Sequence, residues 1–575
     1  MNTAESEFIV VYHCKVKTVL SRIVFISCLL FACCDNHNLL AQSAFLPLQS
    51  ESNHYLSRLE ILSGKISDEI HFSSAPFLRS SVVRYIDSLR LHMPYVIEEE
   101  SKNVNYLLTD NDEWSGDSVA ISRKPLLKIF YRDKASLYQY RSDDFMVKVN
   151  PVFEFAVGAE SASDETLFIN TRGIDVRGWI AKKVGYYFYL TENQARYPLY
   201  VRERTDSFGA VPYAGYYKNY KTTAVDFFDA KGYFDVTAAK FITIQFGHDK
   251  SYVGNGMRTA SISDFSEDYL FLKLRTQVWK INYQNLFMDL TADFLRGGDT
   301  VLPKKYAALH HLSINATKWL NLGGWESVVF HRNDGFELQY LNPIIFYRSI
   351  EQLIGSPDNT MLGLDFRANF LRHFSAYGQF MIDDFNIQVS EGEKGYWGNK
   401  TGWQLGLKYI NAFGLKHLDL QAEVNRIRPY TFTHNDTIAN YSNYNQPIAH
   451  PLGANFSEVM GVIRYQPIFP LTLTAKILYA NQGRDTSGSN YGANIFIPTT
   501  EGNVAGVYGN EVGQGVESHL LNIAFTASYM IRHNLYIDGK VMYRKTTSTL
   551  PAYESNSNIF QIGLRMNLWR DDFMF

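Results

Sequence analysis

LLNIAFTASYMIRHNLYIDGKVMYRKTTSTLPAYESNSNIFQIGLRMNLWRDDFMF, from Leu520 to Phe575, alternates with a two-residue period. In its final segment Phe560, Ile562, Leu564, Met566 and Leu568 share one face, while Gln561, Gly563, Arg565 and Asn567 share the other. This is the signature of a β-strand with one apolar and one polar side. The segment before it sets Leu535, Ile537, Val541 and Tyr543 against Asp538, Lys540 and Arg544. Its predecessor sets Leu521, Ile523, Phe525, Tyr529 and Ile531 against Asn522, Thr526 and Ser528. A soluble sandwich also alternates, so length and connection decide between water and lipid outside. Each segment runs for roughly ten residues, enough for a tilted strand to cross a bilayer and about twice an ordinary strand. Arg532-His533-Asn534 joins the first two tightly, whereas Thr546 to Asn558 is long and polar. Short turns on one side and long loops on the other mark an outer-membrane β-barrel.

Upstream the same rhythm continues. Short joins fall at Lys182-Lys183, Ala238–Lys240, Trp279-Lys280, Lys318–Asn321, Arg372-His373, Asn411–Leu415, Gln466–Pro470 and Arg532–Asn534. Long stretches run over Gly158–Ile169, Thr191–Thr222, Gly247–Glu267, Leu295–Ala307, Arg332–Met361, Ile387–Thr401, Pro429–Phe456, Asn481–His519 and Thr546–Asn558. Eight turns and nine loops require eighteen antiparallel strands, an all-β closed barrel beginning near Phe145. An even number puts both ends of the barrel on the periplasmic side. Lys273, Arg275, Asp538, Lys540, Arg544 and Arg565 are expected to face the lumen.

Composition agrees. Charged residues are 20% and aromatics 15%, with 38 Tyr and 39 Phe, as aromatic girdles at two membrane interfaces require. A net charge of −3 supplies no basic field for nucleic acid. After the N-terminus no apolar run approaches the length of a transmembrane helix. Lys15, Lys17 and Arg22 precede an apolar run from Ile23 to Cys34, and Ala41 offers a cleavage point, so residues 1–41 read as a signal peptide. Leu30-Phe31-Ala32-Cys33 offers a lipoprotein alternative, with bulky Phe31 where small residues are usual. Cys14, Cys28, Cys33 and Cys34 all precede Ala41, leaving a mature chain without thiols. Residues 42–144 form a second region. Tyr55, Leu59 and Leu62, then Val82, Val83, Ile86 and Leu89, recur at helical spacing. Two amphipathic helices followed by a polar bridge through Trp114 are expected to pack under or into the periplasmic mouth, with residues 145–575 as the barrel.

Two loops carry the candidate functional residues. Gly247–Glu267 carries His248, Asp249, Lys250, Asn255, Arg258 and Asp264 around Gly254 and Gly256, a polar mixture able to fold inward. Arg332–Met361 holds Asn342, Arg348, Glu351, Asp358 and Asn359 around an apolar helical segment that needs cover, for which the barrel mouth is the expected place. Arg258 and Asp264 read as an inward ion pair in preference to a glycan site. Glu351, Asp358 and Asn359 have oxygen ligands for a cation, although loop capping accounts for them more simply. Adjacent His310 and His311 point to opposite sides of a strand and do not converge on one metal. Ser251 near His248 is a weak hydrolase motif, and Gly254-Asn255-Gly256 lacks the rest of a dinucleotide fingerprint. No metal, cofactor or catalytic group is assigned. Tyr396-Trp397 and Asn440–Asn445 offer the aromatic faces and hydrogen-bonding groups that glycans use.

The run Phe246-Gly247-His248-Asp249-Lys250-Ser251-Tyr252-Val253-Gly254-Asn255-Gly256 through Ser263-Asp264-Phe265, with Tyr340-Leu341-Asn342-Pro343 and Phe346-Tyr347-Arg348, resembles the capsule assembly Wzi family. It is most similar to that family's Bacteroidetes branch, which includes the gliding motility protein RemB. Arg58-Leu59-Glu60 and Arg84-Tyr85-Ile86-Asp87 are similar to the branch's N-terminal region. The terminal Phe575 resembles the last-strand signal read by outer-membrane insertion machinery. The resemblance implies a non-enzymatic eighteen-stranded barrel in the cell outer membrane, in contact with lipid and attaching capsular polysaccharide, with gliding or adhesion machinery as a further partner. A porin or transport channel is the alternative.

Overall fold

A strand that meets lipid on one face and water on the other must satisfy every backbone group laterally, and only a closed sheet does so without an edge. The computed structural model describes residues 43–575 apart from 116–120, 123–124, 128, 293–300, 333–334, 356–357, 387–393 and 570–572. The predicted signal peptide and all four cysteines lie outside the described residues.

Eighteen antiparallel strands close into a barrel. They are β1 (Phe145–Glu160), β2 (Ser163–Ile180), β3 (Val184–Arg196), β4 (Ala224–Ala239), β5 (Ile242–Asp249), β6 (Tyr269–Val278), β7 (Ile281–Thr291), β8 (Lys304–Asn315) and β9 (Leu320–Phe330). The second half comprises β10 (Asn359–Phe370), β11 (Phe374–Asp384), β12 (Lys400–Tyr409), β13 (Leu418–Ile427), β14 (Phe456–Ile468), β15 (Leu471–Arg484), β16 (Val516–Arg532), β17 (Leu535–Ser548) and β18 (Ser555–Met566). Each strand pairs with its sequence neighbour, and β18 closes on β1 with Ile562 opposite Val157. All eight predicted short turns join strands. Two have consecutive non-glycine residues at positive φ, Ala181 and Lys182 (51° and 55°) and Leu371 and Arg372 (53° and 56°). That geometry matches the twist of the flanking strands.

The alternation sorts as expected. Phe155, Phe188, Phe234, Phe246, Ile523, Phe525, Val541, Phe560 and Ile562 are exposed on the outer wall. Lys273, Arg275, Asp538, Arg544 and Arg565 are buried on the inner wall, and Lys540 lines an internal cavity. No described helix is long and apolar enough to cross a membrane.

The first predicted long loop is a tight join instead. β1 and β2 pair through Gly158–Leu167 and Glu160–Ser163, leaving only Ser161-Ala162 to turn. Beyond the bilayer both faces of a hairpin meet water, so Asp164, Glu165 and Thr166 lose the apolar alternation while remaining strand. The last strand ends at Met566, so Leu568 does not continue it. Phe573, Met574 and Phe575 lie inside the barrel, where Phe575 is buried against Tyr200 and Phe265. The terminal aromatic is therefore not an outward-facing residue of the last strand.

The N-terminal region is more helical than its sequence pattern suggests. It contains α1 (Glu51–Ser63), α2 (Arg79–His92), α3 (Pro94–Glu99) and α4 (Ser101–Asp110). Gly64, at φ 67°, ends α1 with its N–H on Ile61 O, and Pro94 starts α3 where its missing N–H costs nothing. The expected polar bridge is α3 and α4: Val104, Leu107 and Leu108 occur at helical spacing, obscured by Glu98–Glu100, Lys102 and Asn103. Leu56, Leu59, Ile61, Val82, Ile86, Val104 and Leu107 form one core with Ile410, which lies in a barrel turn. The helices are therefore seated in the turn end of the barrel and share its core.

Candidate functional site

Moving charges from water into a barrel lumen is tolerated only when each finds partners. At the turn end Arg58, on α1, meets Glu100 Oε1 at 2.5 Å, Asn411 Oδ1 at 3.0 Å and Asp419 on β13. Burial alone would lower the pKa of Arg58, but Asp419 and Glu100 outweigh it and hold the guanidinium charged. Glu60 binds Arg367 at 2.6 Å and accepts from Asn369 Nδ2 at 2.9 Å. Glu51 pairs with Arg464, and Tyr106 donates to Asn534 Oδ1 at 2.6 Å. These contacts fasten the helices to β10, β13, β14 and the turn between β16 and β17.

From the long-loop end, residues 250–268 fold inward. Tyr252-Val253 pairs antiparallel with Ser74-Ala75 of the N-terminal region, so the two fillings meet within the barrel. The buried loop backbone is satisfied by strand side chains, as it must be. Glu423 accepts from Met257 N at 2.6 Å and Arg258 N at 3.0 Å, and Gln379 Oε1 accepts from Ala260 N at 2.9 Å. At Gly256 a Cβ would lie 2.5 Å from Glu423 Oε2, so a larger residue would displace the carboxylate that holds the loop.

Asp249, Lys250 and Asp264 converge on a cavity of about 220 Å³, also lined by Tyr187 and Tyr233. Lys250 Nζ donates to Tyr213 O at 2.6 Å, and Asp264 accepts from Gln49 Nε2 at 2.8 Å. Asn255 is also buried but does not line this cavity, and neither of its side-chain polar atoms has a protein partner among the described residues. The expected Arg258–Asp264 pair does not form. Arg258 instead approaches Glu458 at 3.7 Å and donates to Met574 O. His248 lies on the outer face of β5, with Nδ1 3.1 Å from Ala230 O, while Ser251 is buried inside, so these two do not meet.

The second predicted cluster lies elsewhere. Residues 335–355 fold over the outer wall and do not enter the mouth. Their helix α6 (Tyr347–Leu353) and Tyr340 pack on Phe287, Ala308, Val328 and Phe330. These strand residues alternate with the inward-facing Leu286, Ala307, Leu309 and Val329, which sets α6 outside. His310 and Glu326 share that outer face, 3.2 Å apart, and Tyr347 N donates to Glu326 Oε2 at 3.0 Å. His311 points inward to Asp365 at 2.9 Å, so the two histidines diverge as expected. Asn342 caps the segment by accepting from Ile344 N at 3.1 Å. Glu351 takes Arg348 at 2.6 Å, and Asp358 takes Arg332 at 2.8 Å and Tyr340 at 2.7 Å. Asn359 donates to Ala439 O at 3.0 Å. Both Asp358 oxygens and Glu351 Oε2 are thus engaged within the loop and its flanking strand, and no group of three metal-ligating side chains occurs among the described residues. Asn440 and Asn443 serve the interior: Asn440 Oδ1 accepts from Lys305 Nζ at 2.7 Å and Asn443 Oδ1 from Thr291 N at 3.0 Å.

The open site is one that sequence reasoning did not assemble. A vestibule of about 650 Å³ at the long-loop end is walled by α5 (Leu199–Phe208), the 447–453 and 493–497 stretches, and the ends of β15 and β17. Arg204, Arg484 and Arg544 line it together. Each stacks on an aromatic ring, Arg204 on Phe208 at 5.1 Å, Arg484 on Tyr553 at 4.8 Å and Arg544 on Tyr200 at 4.4 Å. Arg204 is pushed down to about 9, first by burial and then by Arg484, Arg258 and Arg544, against the opposing pull of Tyr213. Arg544 had an inward signal in the alternation, but Arg204 lies in a loop helix and Arg484 at a strand end, where the two-residue rhythm says nothing.

No protein-family model matches the chain, and no curated protein matches it in sequence. Among solved structures it is similar to Wzi, an outer-membrane protein involved in group 1 capsule assembly in Escherichia coli and a carbohydrate-binding β-barrel. That likeness has a TM-score of 0.54 at 12% identity, covering 93% of this chain and 100% of the other. OprD of Pseudomonas aeruginosa aligns at TM-score 0.41 and 10% identity, over 73% of this chain and 94% of that one. The fold is thus a Wzi-like outer-membrane barrel, with its turn end periplasmic and its long-loop end outside.

Proposed function

We propose that the protein holds polysaccharide at the outer surface of the outer membrane, in capsule assembly or attachment, without catalysing a reaction. The observation that carries this reading is the filled lumen. Helices from the periplasmic end and residues 250–268 from the outer end pair inside the barrel, while the vestibule stays open to the exterior side. Such a molecule suits binding better than permeation. The vestibule's aromatic rings and hydrogen-bonding groups suit sugars, and the fold likeness to a carbohydrate-binding barrel is consistent with it. The test is deletion of the gene followed by measurement of cell-bound and released polysaccharide. Release into the medium with unchanged total synthesis is expected, and an unchanged bound fraction overturns the reading. Spreading on agar by the same strain tests the gliding role that the sequence resemblance implies.

A further inference from the structure

Three guanidinium groups in one cavity repel each other unless an anion joins them. Among the described residues no Asp or Glu carboxylate lies within 4.0 Å of Arg204, Arg484 or Arg544, although Glu203, Asp485 and Glu554 line the same vestibule. The side-chain hydrogen bonds of Arg204 and Arg544 go to backbone and hydroxyl oxygens. Arg204 Nη2 donates to Pro451 O at 2.7 Å, and Arg544 donates to Thr546 Oγ1 and Ser555 Oγ, each at 3.1 Å, and to Phe575 O at 3.3 Å. A carboxylate at Phe575 would offset one of the three charges. Arg544 is 8% exposed, yet among the described residues its Nε has no acceptor, and neither does the buried Nε of Arg484. Buried donors normally find partners, so two such donors beside one cavity are unsatisfied without a ligand. The aromatic stacking holds each guanidinium plane fixed, as bidentate recognition of an oxyanion requires.

We propose that the vestibule recognises an acidic residue of the surface polysaccharide, with Arg204, Arg484 and Arg544 receiving its anionic group and Tyr553 and Phe208 offering faces to the sugar ring. This rests on the glycan-holding reading above and narrows it to anionic glycans. Polysaccharide with only neutral sugars offers hydroxyl acceptors but no negative charge to offset the three guanidinium groups. Because the attraction is ionic at a partly wet site, affinity falls as salt rises.

The experiment titrates detergent-purified full-length protein, by calorimetry, with polysaccharide extracted from the producing cell. The polysaccharide is used native, with its uronic carboxyls reduced to alcohols, or with phosphate removed by hydrogen fluoride. Native material is expected to bind, and one of the two treatments to weaken binding about tenfold or more. The treatment that does so identifies carboxylate or phosphate as the anion. R484Q and R544Q, checked for folding by the heat-dependent shift of the barrel on SDS gels, are expected to lose a similar factor for native material and little for the neutralised form. Equal binding of native and neutralised polysaccharide, or variants that bind native material like the parent, overturns acid recognition and leaves the glycan reading standing. Absence of binding to native polysaccharide overturns both.

Discussion

Arg58 shows how a single residue governs whether the N-terminal helices stay seated. Its side chain is 2% exposed and lies between Glu100, at 1%, and Asp419, at 7%. Removing one partner of a buried charge set leaves the others uncompensated and costs about 3–5 kcal/mol, whereas replacing the whole set by neutral groups costs much less. R58M is therefore expected to loosen α1–α4 from a barrel that still folds. Limited proteolysis should cleave within residues 51–110 while the folded barrel band persists on gels. Adding E100Q and D419N to R58M should restore part of the protection. A protected R58M protein would mean that the apolar core shared with Ile410 seats the helices by itself.

At the scale of elements, the strands were legible because one physical cause, lipid on one side and a polar interior on the other, writes a two-residue period into Leu520–Phe575 and its predecessors. The destinations of the loops were not. The apolar segment around Ile350 announces that it needs cover, but its partners His310 and Glu326 sit on other strands and belong to the outer face only once the register is known. Likewise Arg204, Arg484 and Arg544 are scattered along the chain and come together only when the barrel closes. The outer-wall packing has a consequence. Excising residues 338–354 would leave Glu326 and His310 on the lipid face, where a charge is unfavourable by an amount below the roughly 2–4 kcal/mol seen for Arg or Lys. The temperature at which the folded gel band converts to the unfolded one should fall. It should recover when H310L and E326L are added to the excised protein. If the double leucine change brings no recovery, the segment covers nothing that matters to the wall.

For the whole molecule the question is whether an eighteen-stranded tube, wide enough to hold water, conducts. Its interior is filled by chain from both ends, and two histidines, one buried and one half-buried, make the periplasmic filling sensitive to acid. His71 is 1% exposed beside Ser313, and its pKa is lowered to about 3 by burial, with Arg275 and His311 adding to the effect. His54 is lowered to about 4 by burial and Arg464, against Asp419, but its side chain is 28% exposed, so solvent discounts its share. Both values lie below the 6.5 of a free imidazole. The released segment therefore takes up protons that the docked segment refuses. Docking stability is complete above pH 6.5 and is lost as pH falls through 6.5 toward the docked values, each unit of separation being worth about 1.4 kcal/mol. Asp110 stays ionised over this range. Burial would raise its pKa, but Arg79, at 2.9 Å, and His533 hold it well below the usual carboxylate value, so loss of that ion pair does not contribute. In planar bilayers the protein is expected to be silent at pH 7.5 and to open increasingly between pH 6.5 and 4.5, and H71Q should suppress much of that acid opening. A steady large conductance at pH 7.5 would instead assign the barrel to transport, because chain that fills a lumen without closing it cannot be what keeps solutes out.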